Sequence, residues 1–262
     1  MEISGLYIYP IKSLQGLSVS SAEVMEKGFK YDRRWMLVDA NNGHVTQRTH
    51  PHLSQIGLEM SANAIILSHK NKSDLEIPLT LVDGNQVEVT IWNDTVQAIE
   101  APEQINSWIS DVARDPCRLV YMPEDANRPI NPERARNNEQ VSFADGYPYL
   151  ILGQSSLDDL NSKMEVDLPM HRFRPNIVVT GSEPYEEDHW KDLQIGDVSF
   201  YGTNPCKRCV FTTIDQETGE KGIEPLKTLA TYRREGKDVI FGLNTVAAST
   251  GLIHVGDSMW VE

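Results

Sequence analysis

Two cysteines stand three residues apart in the run Pro205-Cys206-Lys207-Arg208-Cys209-Val210-Phe211-Thr212-Thr213. A pair at this spacing serves three kinds of chemistry. Structural zinc needs four ligands, and beyond the pair the chain offers only Cys117 and seven dispersed histidines. A thioredoxin-like redox pair needs a strand-to-helix turn within a βαβ unit. The β-branched run after Cys209 reads instead as strand. In the third reading both thiols are small buried hydrophobes. Lys207 and Arg208 shift the balance, because flanking cations favour thiolate, the form that ligates a soft metal. On an extended Arg208-Cys209-Val210 segment side chains alternate, so one thiolate can face a pocket while Cys206 lies in the preceding turn. Spacing alone leaves the three readings open.

Positioning such a site falls to a chain that is mostly strand-like. Alternating apolar and polar residues predict strands over Ile3–Tyr9, Leu17–Met25, Arg34–Val38, Ala64–Ser68 and Gln86–Glu100. Turns such as Asn41-Asn42-Gly43 and Asp83-Gly84-Asn85 separate them. Short strands at this spacing suggest a barrel or sandwich rather than βαβ units. The clearest helix is Pro102–Ala113, with Ile105, Trp108, Ile109 and Val112 on one face. A strand follows at Arg118–Met122. Pro123 to Glu139 is polar and reads as a long surface loop. Beyond it, Tyr149–Leu152 and Phe173–Thr180 read as strands. Ser155/Ser156 with Asp158/Asp159 read as a capping box opening a helix. Ile195-Gly196-Asp197 and Val255-Gly256-Asp257 each introduce a strand, Val198–Tyr201 and Ser258–Val261, and Pro225–Arg234 reads as a helix. The predicted class is mainly β with some α.

Composition narrows the partners. The 262 residues carry 24 Lys+Arg against 38 Asp+Glu, a formal net charge of −14. So acidic a chain is a poor binder of phosphate backbones and of anionic membranes, and no nucleic-acid binding is expected. No apolar run approaches the ~18–20 residues of a membrane span. The opening Met1-Glu2-Ile3-Ser4-Gly5 lacks a secretory signal pattern, and three cysteines are too few for a disulfide framework. The expected compartment is the cytoplasm.

Five segments, in order, carry a resemblance. They are Leu6-Tyr7-Ile8-Tyr9-Pro10-Ile11-Lys12-Ser13, Tyr31-Asp32-Arg33-Arg34-Trp35, Phe143-Ala144-Asp145-Gly146-Tyr147-Pro148, Phe173-Arg174-Pro175-Asn176-Ile177-Val178 and Cys206-Lys207-Arg208-Cys209. Glu224-Pro225-Leu226-Lys227-Thr228-Leu229 and Phe241-Gly242 match further. Over essentially its whole length the chain resembles the MOSC family, in the branch of the mitochondrial amidoxime-reducing component and its bacterial relatives. The resemblance implies a site for the molybdenum cofactor, in which a pyranopterin dithiolene (molybdopterin) holds the metal and one cysteine adds a sulfur. The position matching that metal ligand is Cys209, not Cys206. The family's cofactor contacts fall on Lys12, Ser13, Arg33, Arg174 and Asn176, with Gly146, Tyr147 and Lys207 lining the same pocket. Relatives carry hydroxyl side chains where Gly146 and Lys207 stand, so backbone amides or an ammonium must replace those contacts here.

The residue types suit such a ligand. The cofactor carries a phosphate, for which Lys12 offers a point charge and Arg33 and Arg174 offer planar forks. Asn176 supplies both a donor and an acceptor to a heterocycle. Asp145 is by type a turn aspartate before Gly146. Near the metal it can relay protons, since reducing an N–O bond consumes two electrons and two protons.

The resemblance implies a molybdenum-cofactor oxidoreductase that reduces N-hydroxylated compounds: hydroxylamines, amidoximes and N-hydroxylated bases. The alternative is a molybdenum cofactor or sulfur carrier without turnover. The family's arrangement puts residues 1–33 and 122–262 in a discontinuous MOSC β-barrel domain. Residues 34–121 then form a smaller N-terminal MOSC-associated α/β domain, inserted after the first strands and roofing the cofactor. The chain ends at Glu262 without a Cys-x4-Cys-x2-Cys pattern. A separate electron-donor protein, a flavoprotein or iron–sulfur protein, is therefore expected beside the small-molecule N-hydroxylated substrate. Lys12, Arg33, Arg174, Lys207 and Arg208 are expected to confine positive potential to one cleft of an acidic molecule.

Overall fold

The alternating N-terminal segment pairs with the far end of the chain. In the structure, a computed structural model covering residues 1–262, strand Glu2–Ile8 runs antiparallel to both Ile177–Thr180 and Leu17–Val19. With Leu17–Val19 it thereby enters a nine-stranded sheet built otherwise from the C-terminal half. Next to Ile177–Thr180 in that sheet come Tyr149–Gly153, Asp238–Ala247, Val198–Lys207, Asp192–Ile195 and the edge strand Met259–Val261. A smaller sheet joins Ser21–Met25 to Gly251–His254 and Gly28–Phe29. Ile3, Leu6, Tyr149, Ile151, Ile177, Phe200 and Leu243 pack between these strands as one apolar core.

The middle of the chain builds a five-stranded sheet in the order Gln86–Ile91, Asp94–Glu100, Arg118–Tyr121, Trp35–Val38, His44–Val45. Gly57–Met60, Ala64–His69 and Lys72–Pro78 form a further three-stranded sheet. Helix Glu103–Ala113 lays Ile105, Ile109 and Val112 onto the same core as Trp35, Leu37 and Leu119, as its periodicity requires. The class is mainly β with some α. No helix is long and apolar enough to cross a membrane.

The two regions meet along one seam. Lys12 N donates to Trp35 O at 2.8 Å, Arg33 N to Tyr9 O at 2.8 Å, and Phe143 N to Arg33 O at 3.0 Å. These bonds set the segments around Lys12, Arg33 and Phe143 side by side.

Several expected elements are redrawn. Leu17–Met25 is two strands broken at Ser20, and Gln86–Glu100 is a hairpin turning at Trp92-Asn93. Only Ile177–Thr180 of the stretch Phe173–Thr180 is strand, since Pro175 has no N–H for a ladder. Met170–Phe173 is instead a 3-10 turn. The helix Gln154–Asn161 has Gly153 as its N-cap and no capping box. Ser156 Oγ donates instead to buried Glu187 Oε2 at 2.8 Å. Pro225–Arg234 shrinks to one turn, Leu226–Leu229. Pro123–Glu139 has no helix or strand, yet Ala126, Arg128 and Ile130 within it are buried. It is a packed support rather than a surface loop alone.

Candidate functional site

The seam opens into a concave, partly open cleft. Its lining brings together Lys12, Ser13, Arg33, Asp145, Gly146, Tyr147, Arg174, Asn176, Lys207 and Cys209, every residue the sequence singled out. Three of them, Ser13, Arg33 and Arg174, hold left-handed backbone with φ of 67°, 48° and 55°. Such residues cost about 1 kcal/mol or more each and cluster where a site needs a particular side-chain aim.

Lys12 is buried, its Nζ donating to Phe143 O at 2.8 Å and to the Asp145 carboxylate. Burial pulls the Lys12 pKa down to about 8, with Asp145 opposing the shift. Asp145 stands at the mouth of the cleft. Enclosure raises its carboxyl, but the Lys12 charge outweighs that and holds it well below the usual carboxylate range. Arg48 and the Trp92 indole N–H act in the same direction.

Deeper in, Arg33 Nη1 donates to Asp32 Oδ2 at 2.5 Å and to Asn176 Oδ1 at 3.0 Å. Asn176 Nδ2 donates to Tyr7 O at 3.2 Å, and its Oδ1 also accepts from Leu150 N at 3.3 Å. Its amide is thus spent on aiming Arg33. The Tyr9 ring takes both guanidinium groups, with Arg33 Cζ 4.2 Å and Arg174 Cζ 4.1 Å from its centroid. Gly16 makes room for that ring: a Cβ there would lie 2.2 Å from Tyr9 Cε1. Burial, then the neighbouring Arg33 charge, lowers the Arg174 pKa to about 10. Two cations crowded on one ring are stabilised by an anion between them.

The cysteine run closes the third side. Cys206 lies on the strand Val198–Lys207, not in a turn before it, and burial pushes its thiol up. Cys209 lies just past that strand and is exposed. The residues after it form a 3-10 turn, Val210–Thr213, rather than the expected strand. The Thr212 and Thr213 hydroxyls donate to Cys209 O at 3.1 Å and Val210 O at 2.8 Å, which competes with a strand ladder. Arg208 donates to Phe241 O and Phe173 O, while its buried Nη2 has no partner. Lys207 turns outward to Asp238 Oδ2 at 2.6 Å, so its ammonium sits at the rim. Beside Gly146 the space is open, with no atom within 4 Å of where a Cβ would stand. Tyr147 is half-buried, and burial pushes its phenol up. No cluster of three or more His, Cys, Asp or Glu side chains gathers to hold a metal, so the zinc reading lacks ligands.

Sequence reasoning missed three contributors. Arg48 lines the cleft with Nη1 3.9 Å from Cys209 Sγ. Trp92 occupies a turn, where no periodicity marks it. Arg128 was hidden in a polar stretch, where three prolines and no apolar pattern gave no sign of burial.

Residues 1–116 match the family described as the MOSC N-terminal beta barrel domain, and residues 138–260 match the MOSC domain. The chain belongs to the MOSC family. Among its MOSC relatives, mitochondrial amidoxime-reducing component 1 of Mus musculus is 35% identical across 99% of this chain and 82% of its own. The Homo sapiens protein of that name is 34% identical over the same shares. The molybdenum cofactor sulfurase of Oryza sativa subsp. japonica is 30% identical across 93% of this chain but only 32% of its own.

Proposed function

We propose that the cleft binds the molybdenum cofactor and that the protein reduces N-hydroxylated compounds. The observation that carries this reading is the position of Cys209. Its exposed thiol lines both the cation-rich cleft and a second, open groove beside it. The donor set suits the cofactor: Arg33 and Arg174 share one ring, and buried Arg208 Nη2 has no acceptor of its own. When bound, the cofactor supplies a redox-active metal that can deliver two electrons to an N–O bond.

The chain's own residues supply the rest. Cys209 offers the metal its thiolate sulfur. Arg33, Arg174 and Arg208 bind the phosphate and pterin oxygens, and Ser13, Gly146 and Tyr147 complete the lining. Asn176 acts by holding Arg33, while Lys207 guards the rim. Cleavage of N–OH to N–H and water consumes two protons. Asp145, ionised at neutral pH, relays protons rather than storing them. Lys12, with a pKa of about 8 and its Nζ on the Asp145 carboxylate, is the better-matched donor. Because the active form is Lys12 protonated, kcat is expected to fall as pH rises through about 8. A rate profile from pH 6 to 9.5 checks this, and a flat profile to the alkaline end contradicts it. Lys12→Met should give a low rate without that alkaline limb.

Only three cysteines occur in the chain, two of them in the cleft, which leaves no four-cysteine set for an iron–sulfur cluster. We assign electron supply to a separate flavoprotein or iron–sulfur protein. The pairing of Glu2–Ile8 with Ile177–Thr180 supports the division of the chain into residues 1–33 with 122–262 and an inserted 34–121. The sulfurase relative favours a second reading, a cofactor or sulfur carrier. Anaerobic incubation of cofactor-loaded protein with benzamidoxime and a reduced viologen dye separates them. Benzamidine should accumulate with dye oxidation; a carrier leaves benzamidoxime unchanged.

A further inference from the structure

The open groove beside the cleft shares Arg48, Asp145, Gly146, Tyr147, Lys207 and Cys209 with it. Its far wall is the tip of the hairpin formed by Gln86–Ile91 and Asp94–Glu100. Ile91 pairs with Asp94, so the turn is only Trp92-Asn93. Trp92 takes φ 56°, a conformation that favours glycine or asparagine and costs a bulky residue about 1 kcal/mol. The residue is nonetheless 44% exposed, so a large aromatic ring stands over the groove with much of its surface open.

The ring is nonetheless fixed. Arg48 Cζ lies 4.3 Å from its centroid, and the His44 ring is tilted against it at 4.9 Å. The hairpin tip is tied to the Asp145 loop by Arg128, whose Nε donates to Asp94 Oδ2 at 2.9 Å. The same guanidinium donates through Nη1 to Ser142 O and Ala144 O, each at 2.6 Å. Tip and loop therefore keep one spacing. Arg48, alone among the groove's cations, has no carboxylate or carbonyl acceptor: it meets Thr46 Oγ1, Trp92 and Cys209 Sγ. An indole and an unpaired guanidinium present flat, polarisable faces, which favour planar conjugated ligands over compact saturated ones.

We propose that Trp92, with Arg48 stacked on it, is the specificity platform of this site, holding planar conjugated substrates with their N–OH toward Cys209. This rests on the reductase reading above. Trp92→Ala and Trp92→Phe in the cofactor-loaded protein test it, using benzamidoxime against hydroxylamine, which has no ring to stack. Trp92→Phe keeps an aromatic ring for stacking, so the kcat/KM ratio of the two substrates should stay within about twofold of wild type. Trp92→Ala should lower the ratio of benzamidoxime to hydroxylamine at least tenfold, mainly through KM. An unchanged ratio in Trp92→Ala, with wild type active, overturns the platform and leaves the reductase reading standing. Calorimetric binding of benzamidoxime needs no turnover: wild type should bind at least tenfold more tightly than Trp92→Ala. Equal affinities, or no binding by wild type, overturn the platform. Absent turnover with the affinity difference intact overturns the reductase reading alone.

Discussion

Cys209→Ala is expected to cut benzamidoxime turnover more than roughly 100-fold, beyond the 10–100-fold that losing an outer-shell partner of a metal site costs. Cys206→Ala should keep most of the wild-type rate. The asymmetry follows from where the two thiols stand. Cys209 is exposed just past the strand's end, on the lining shared by cleft and groove, with Arg48 Nη1 3.9 Å from its sulfur. Cys206 sits within the strand, and burial pushes its thiol up, away from the thiolate form that a soft metal takes. Steady-state assays of both variants, loaded in the same host, check the difference. Equal loss in the two would mean that the pair acts as a unit, as a redox couple does.

Arg128→Met is expected to destabilise the protein by about 3 kcal/mol and to slow turnover as well. Arg128 is 2% exposed and one guanidinium serves Asp94 Oδ2, Ser142 O and Ala144 O. Removing it leaves two buried carbonyls without that donor, at about 1–3 kcal/mol each where water cannot enter. Asp94 adds less because its side chain is 46% exposed and water can replace the partner. Arg128→Lys should recover under half of the loss, since a point charge cannot reproduce a planar fork. Denaturant midpoints measured on the three proteins check this. A loss below about 1 kcal/mol in Arg128→Met would show that the loop keeps its shape without the guanidinium.

Those two residues also mark what the sequence revealed and what it hid. Helix Glu103–Ala113 was legible because its apolar stripe answers to one period and one core. The strands around Glu2–Ile8 and Trp35–Val38 were legible by alternation. The gathering of Lys12, Arg33, Asp145, Arg174 and Cys209 at one cleft was legible only through ordered motifs, because nothing local links positions so far apart. Arg128 was illegible for the opposite reason. Its burial is bought by carbonyls of a neighbouring loop, and a polar stretch with three prolines carries no trace of them. Trp92 was absorbed into a single strand, although the alternation changes phase between Ile91 and Val96, five residues apart, which is the trace that a two-residue turn leaves. The run after Cys209 misled because threonine favours strands by its branching, yet its hydroxyl can close a turn.

The central claim is that Cys209 ligates molybdenum in a cleft that binds the cofactor through Arg33, Arg174 and Arg208. Metal and pterin analysis of wild type, Cys206→Ala and Cys209→Ala, all produced in a cofactor-competent host, tests it most directly. Molybdenum X-ray absorption on the same samples reads the sulfur neighbours. The expected result is molybdenum and pterin in equal amounts in wild type and Cys206→Ala. In Cys209→Ala, one sulfur neighbour should be missing or the metal lost. Zinc in place of molybdenum, or the same sulfur count in wild type and Cys209→Ala, would contradict the account.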